Sequence, residues 1–192
     1  MIMPAEQTSE ADRATLLQLA RQALSAAVRG EATPTINYAL LSDNLKKSGA
    51  SFVTLTIQDE LRGCIGTLEA NESFVDDVVR HAVAAGLEDY RFPPVQPDEL
   101  DRIKIEISHL TQPVILSYLD SDDLIKKLRP GIDGVILRDG WHRATFLPQV
   151  WEKLPDPVEF LSHLCYKMGV SPNLWRQKKL EIQVYTVEEF SE

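Results

Sequence analysis

Cysteine is scarce in this chain. There are two among 192 residues, Cys64 and Cys165, too few for a disulfide framework. No stretch approaches the roughly 18 to 20 apolar residues that cross a bilayer, so no membrane segment is expected. The opening, MIMPAEQTSEADR, has no basic segment followed by an apolar one and does not read as a signal peptide. These absences together predict a cytoplasmic protein with reduced thiols. Basic residues are outnumbered, 20 against 29 acidic, for a formal charge of −9. The basic footprint that nucleic-acid phosphates require is missing, so no nucleic-acid partner is expected. No histidine pair has metal-ligand spacing, no cysteine cluster could hold zinc or iron–sulfur, and there is neither a phosphate loop nor a GxGxxG. The reading therefore assigns no metal and no cofactor.

What is present is an ordinary globular composition, 44% apolar, at a length that supports a real core. Residues 1–8 read as loose. Ser9 caps a helix whose apolar stripe runs through Leu16, Ala20, Leu24 and Ala27 to a stop at Gly30. Alternation predicts a hairpin, 52–57 and 61–67, joined by Gln58, Asp59 and Glu60. A helix over 73–87 follows, then a proline-rich loop over 88–100 in which Asp89 and Arg91 read as an exposed ion pair of little worth. A strand at 103–110 and a short helix near 120–128 come next. A second hairpin, 134–139 and 142–147, turns at Asp139-Gly140. Short helices start at Pro148 and Pro157, and the last strand is 180–187.

Both halves thus read hairpin, helix, loop, strand. Arg62-Gly63-Cys64-Ile65 aligns with Arg143-Ala144-Thr145-Phe146, which suggests an ancient duplication with Thr145 in the place of Cys64. The expected fold is α+β, one mixed and mainly antiparallel sheet with helices packed against it, in a single domain over 1–192. Its parts are a helical segment at 1–50, a first repeat at 51–112 and a second at 113–192. Trp151 and Trp175 are expected in or near the core.

The stretch LRGCIG at 61–66 carries the chemistry. Glycine is a poor strand residue, so Gly63 and Gly66 imply either a bend or a close approach to the backbone. Regular alternation puts Arg62 and Cys64 on one face, and a guanidinium beside a thiol favours the reactive thiolate. Cys64 and Arg62 are therefore the catalytic candidates. Gly63, Gly66, Arg91, His142, Arg143 and Thr145 are the binding candidates, with His142 the best placed histidine on pattern. Free cysteine is also among the most buried residue types, and no partner base for Cys64 is evident. Two readings stay open: a small-molecule- or partner-binding module centred on this strand, and an enzyme with Cys64 as nucleophile or redox thiol.

With FVTL at 52–55, RFPP at 91–94, ATFLPQVW at 144–151 and FLSHLCYKMG at 160–169, LRGCIG gives the chain a strong resemblance to the AMMECR domain family. The likeness spans about 52–190. Where family members often carry histidine before the glycine of the GV strand, this chain has Asp133. The resemblance implies two β3α2-like repeats sharing a barrel-like sheet. It also implies Memo-like and radical SAM proteins as partners, in what is called the AmmeMemoRadiSam system. The chain itself lacks the three-cysteine cluster of a radical SAM enzyme.

Overall fold

Helix α1 (Glu10–Val28) starts where Ser9 accepts a hydrogen bond from the Asp12 amide, with Glu10 and Asp12 set against the positive end of the helix dipole. It ends in a Schellman motif. Gly30, at φ +69°, lets the Gly30 and Glu31 amides fold back onto the carbonyls of Ala27 and Ala26. The structure, a computed structural model, describes residues 8–192. The loose start expected at 1–8 lies, apart from Thr8, outside the described residues.

The described residues divide into two compact units, one formed by 8–111 with Glu188–Glu192 and the other by Gln112–Val187. After α1, the first unit contains α2 (Asp43–Lys46), the hairpin β1 (Ser48–Ile57) and β2 (Glu60–Gly66), the short β3 (Glu72–Ser73), α3 (Phe74–Leu87) and β4 (Lys104–Leu110). Between α3 and β4 lies a 3₁₀ helix, Pro97–Arg102, where a loop was expected; its proline stands at the first turn, the helical position that tolerates one. In the second unit come β5 (Val114–Ile115), α4 (Ser121–Lys127), β6 (Gly134–Asp139), β7 (His142–Phe146), a 3₁₀ turn at Pro148–Glu152, α5 (Pro157–Lys167), α6 (Leu174–Gln177) and β8 (Glu181–Tyr185). β9 (Val187–Ser191) follows after a one-residue break.

The strands form two open sheets rather than the single barrel-like one expected. The first runs β2-β1-β4-β9, with β3 also on β1, and the second runs β5-β8-β6-β7. Among the described residues no barrel closes. The predicted last strand ends early because the chain passes at Thr186 from one sheet to the other. The fold is α+β with antiparallel hairpins, as the alternation predicted. Among the described residues no helix is long and apolar enough to cross a membrane.

In the first unit α1 and α3 bury Leu16, Leu24, Val75 and Val78 against Val53, Leu55, Ile105 and Ile107 of one sheet face. The second unit packs Val135, Leu137, Ile182 and Val184 against Phe160, Leu161 and Leu164 of α5. Trp151 and Trp175 are buried there, as expected. Trp151 stacks on Phe160 at 3.7 Å between ring centres and donates its indole N–H to the Asp133 carbonyl. Asp133 itself is buried and holds Arg129. Trp141, at the hairpin tip, is fully exposed.

Ion pairs fasten β9 to α1: Arg13 holds Glu188 and Arg21 holds Glu192. Glu188 also accepts the Thr8 hydroxyl, and that hydroxyl lies 3.3 Å from Nδ1 of His109. His109 stacks on Phe74 at 3.8 Å. Burial holds its imidazole below the ordinary 6.5, against the opposing pull of Glu188 and Asp77. The unfolded chain therefore takes up this proton first, and stability falls as pH drops through 6.5 towards the folded value. Thermal unfolding should show a Tm lower by a few degrees at about pH 5.5 than at about pH 7.5. His109→Phe, which keeps the ring contact, should flatten that slope. An unchanged slope would remove His109 as its source.

Candidate functional site

The β1–β2 hairpin turns on two residues, Gln58 and Asp59, at φ +54° and +63°. Both being left-handed fits a type I′ turn, whose twist matches the strands it joins. The register pairs Cys64 with Thr54 and Gly63 with Leu55, but Leu61 with Thr56. Arg62 is thus the extra residue of a β-bulge, and the regular alternation that put it beside Cys64 breaks at Arg62 itself. Its guanidinium makes a two-pronged ion pair with Glu99 of the 3₁₀ helix, at 2.8 and 3.0 Å. Glu99 also accepts the Gln96 amide, and the Arg62 pair is the largest influence holding its carboxyl below the usual range. To activate Cys64, Arg62 would have to give up Glu99.

Both glycines are explained by close approach, and the approaching atoms are the protein's own. A Cβ on Gly63 would lie 2.1 Å from the carbonyl oxygen of Ala85, in the last turn of α3. On Gly66 it would lie 2.3 Å from the Phe52 ring and 2.4 Å from the Ser51 carbonyl.

β2 is an edge strand, and an edge leaves amides and carbonyls without a neighbouring strand. At Cys64 the loop after α3 supplies the partners. Asp89 accepts the Cys64 amide at 2.8 Å, and Arg91 donates to the Cys64 carbonyl at 3.2 Å. The two are tied to each other by side-chain bonds of 2.9 and 2.7 Å. Asp89 is buried, so this is not the exposed ion pair expected from the sequence. The Arg91 guanidinium, foremost, with the Cys64 amide, holds the Asp89 carboxyl far below the usual range. Between these anchored neighbours Tyr90 is 93% exposed, and Leu61 on the strand is 44% exposed.

On the sheet face away from the helices the register lines up side chains in rows. One row is Cys64, Thr54 and Glu106. All three are half-buried, and the Thr54 hydroxyl donates to the Cys64 sulfur at 3.4 Å. Sequence reasoning missed Asp89, Thr54 and Glu106. The alternation of β4 put Glu106 outward, but only strand order brings it opposite Thr54.

The remaining candidates lie in the second unit, on β7. His142 is exposed at its start, and so is Arg143 beside it. Thr145 is half-buried, and its hydroxyl lies 3.1 Å from that of Tyr185, whose proton burial holds up to about 12. Among the described residues no three histidine, cysteine or acidic side chains gather to hold a metal ion.

Comparison with known proteins agrees with this fold. A protein of Methanothermobacter thermautotrophicus is 35% identical over 179 residues, covering 93% of each chain. One of Methanopyrus kandleri is 39% identical over 155 residues, 79% of this chain and 75% of its own. The crystal structure of an uncharacterized protein from Pyrococcus horikoshii aligns with a TM-score of 0.77 at 29% identity, covering 93% of this chain and 90% of that one. Residues 17–190 match the AMMECR1 family, and the chain belongs to that family.

Proposed function

We propose that this protein is a binding module whose working surface is the edge of β2, residues 61–66, together with the loop that clamps it. The observation that carries this reading is Tyr90. It is 93% exposed on a segment pinned on both sides, by Asp89 and Arg91, to the backbone of Cys64. The backbone that carries this ring is already ordered, so binding would have less loop freedom to remove. Tyrosine and arginine are also the side chains that most often anchor protein interfaces. Leu61 extends the apolar part of the surface, and Arg91 adds a charge with its guanidinium over the Phe92 ring, 5.6 Å from its centre. The partners proposed are the Memo-like and radical SAM proteins that the family resemblance implies. Activation of Cys64 by Arg62 finds less support, because the guanidinium is committed to Glu99.

The matching strand orders, β2-β1-β4 and β7-β6-β8, support the proposed duplication, as does the place of Thr145, like Cys64, on the face away from the helices. Calorimetric titration with each partner tests the binding reading. Tyr90→Ala should weaken binding about tenfold or more, the scale of an interface anchor, while Cys64→Ser leaves it unchanged. No measurable binding to either partner, or binding indifferent to Tyr90→Ala, would overturn it.

A further inference from the structure

Trp141 stands apart from the other two tryptophans. Trp151 and Trp175 are buried, whereas Trp141 is fully exposed. Its backbone is fixed all the same. Asp139 pairs with His142, so Gly140 and Trp141 alone form the turn, led by Gly140 at φ +58°. Glycine in the first of two turn positions fits a type II′ hairpin, whose twist suits its strands. The ring is therefore carried outward on an ordered tip.

The charge around this tip runs against that of the chain. The whole carries −9, yet residues 138–143 and 176–179 hold five basic side chains and one acidic. The basic ones are Arg138, Arg143, Arg176, Lys178 and Lys179, and all five are exposed. Lys178 binds Asp139, the one acid, at 2.6 Å, which joins the two segments. The register sets Arg138 directly opposite Arg143, and like charges so placed are unfavourable. Glu181, opposite Arg138 on β8, offsets part of that cost, and an anionic surface would relieve the rest. Past Tyr118, which bonds Leu180 just before β8, the charge reverses at Asp120 and Asp122, so the basic patch ends there.

No side chain shields the Trp141 ring, so the tip offers no groove for a small ligand or a nucleic-acid strand. A bilayer surface needs no groove. It supplies anionic headgroups and, at the same level, the interfacial layer that indole prefers. Docking of this kind requires no spanning helix. We propose that the β6–β7 tip docks on an anionic lipid surface. Trp141 enters the headgroup layer, and the basic side chains around it meet the lipid phosphates. The surface lies on the second unit and owes nothing to Tyr90.

The test is co-sedimentation of the full chain with vesicles of equal parts phosphatidylserine and phosphatidylcholine, against vesicles of phosphatidylcholine alone. Binding should require the anionic lipid and weaken steeply as salt is raised. Trp141→Ala should weaken it about tenfold, the scale of burying one large apolar side chain. Arg138→Gln and Lys179→Gln should each weaken it about fivefold. Tyr90→Ala should bind as the wild type does, which keeps this result separate from partner binding. Because the other two tryptophans are buried, a shift of emission to shorter wavelength on anionic vesicles reports Trp141. Equal binding to both vesicle types, no binding to either, or binding indifferent to Trp141→Ala would overturn the proposal. So would Trp141-dependent binding of polyglutamate or a single-stranded RNA with none of the anionic vesicles.

Discussion

Gly63→Ala is expected to destabilise the first unit by about 3 kcal/mol or more, at the upper end of what a forced steric overlap costs. The added methyl would sit 2.1 Å from the Ala85 carbonyl oxygen, a backbone atom that no rotamer change can move aside. α3 has little room to retreat. The face that carries Gly86 is pressed on Leu24 of α1, where a Cβ would lie 2.4 Å from a methyl carbon. The run Ala84, Ala85, Gly86 at the end of α3 is what allows two such close contacts at once. Gly131→Ala is the control. Gly131 has φ +77° and open space around it, so alanine there meets only left-handed strain of about 1 kcal/mol. Urea unfolding of both variants measures the difference. If Gly63→Ala costs no more than Gly131→Ala, the steric account of the motif fails.

This places a limit on what the strand's own sequence revealed. The second hairpin has Ala144 where the alignment puts Gly63, which made glycine look dispensable to the architecture. The hairpin itself does tolerate alanine. The demand for glycine comes from the helix packed on it, and nothing local to 61–66 encodes that helix's distance. Elements with local causes were legible: Ser9 as a cap, the helix over 73–87, the alternation of β4, and the Asp139-Gly140 turn with Gly140 at φ +58°. What depended on strand order was not. The bulge at Arg62 broke the alternation used to pair it with Cys64, and the carboxylate opposite Thr54 lies about fifty residues further along the chain. Two sheets rather than one also follow from non-local pairing, since either arrangement satisfies the same hydrophobic pattern.

Asp89 is the clearest case of a residue whose worth depends on its tertiary setting. Read as a surface turn, Asp89→Ala would change stability by no more than about 0.5 kcal/mol. In the fold it accepts the Cys64 amide and the Arg91 amide, and it grips the Arg91 guanidinium while itself buried. Removing it leaves an edge-strand amide without its acceptor and releases the Arg91 bond to the Cys64 carbonyl. Loss of a buried partner in a charged pair costs about 3 to 5 kcal/mol. Arg91 is 45% exposed and can turn to water, so about 3 kcal/mol is expected here. The pH dependence has a definite sign. The folded carboxyl titrates below its unfolded 3.8, so the stabilisation is complete above that value and is lost as pH falls through the folded one. Urea unfolding should therefore show a wide gap between wild type and Asp89→Asn at neutral pH that narrows on strong acidification. Hydrogen exchange gives the local readout: the Cys64 amide should lose protection in Asp89→Ala at neutral pH before the core strands do. A Cys64 amide still protected in that variant would mean that something other than the clamp closes this edge.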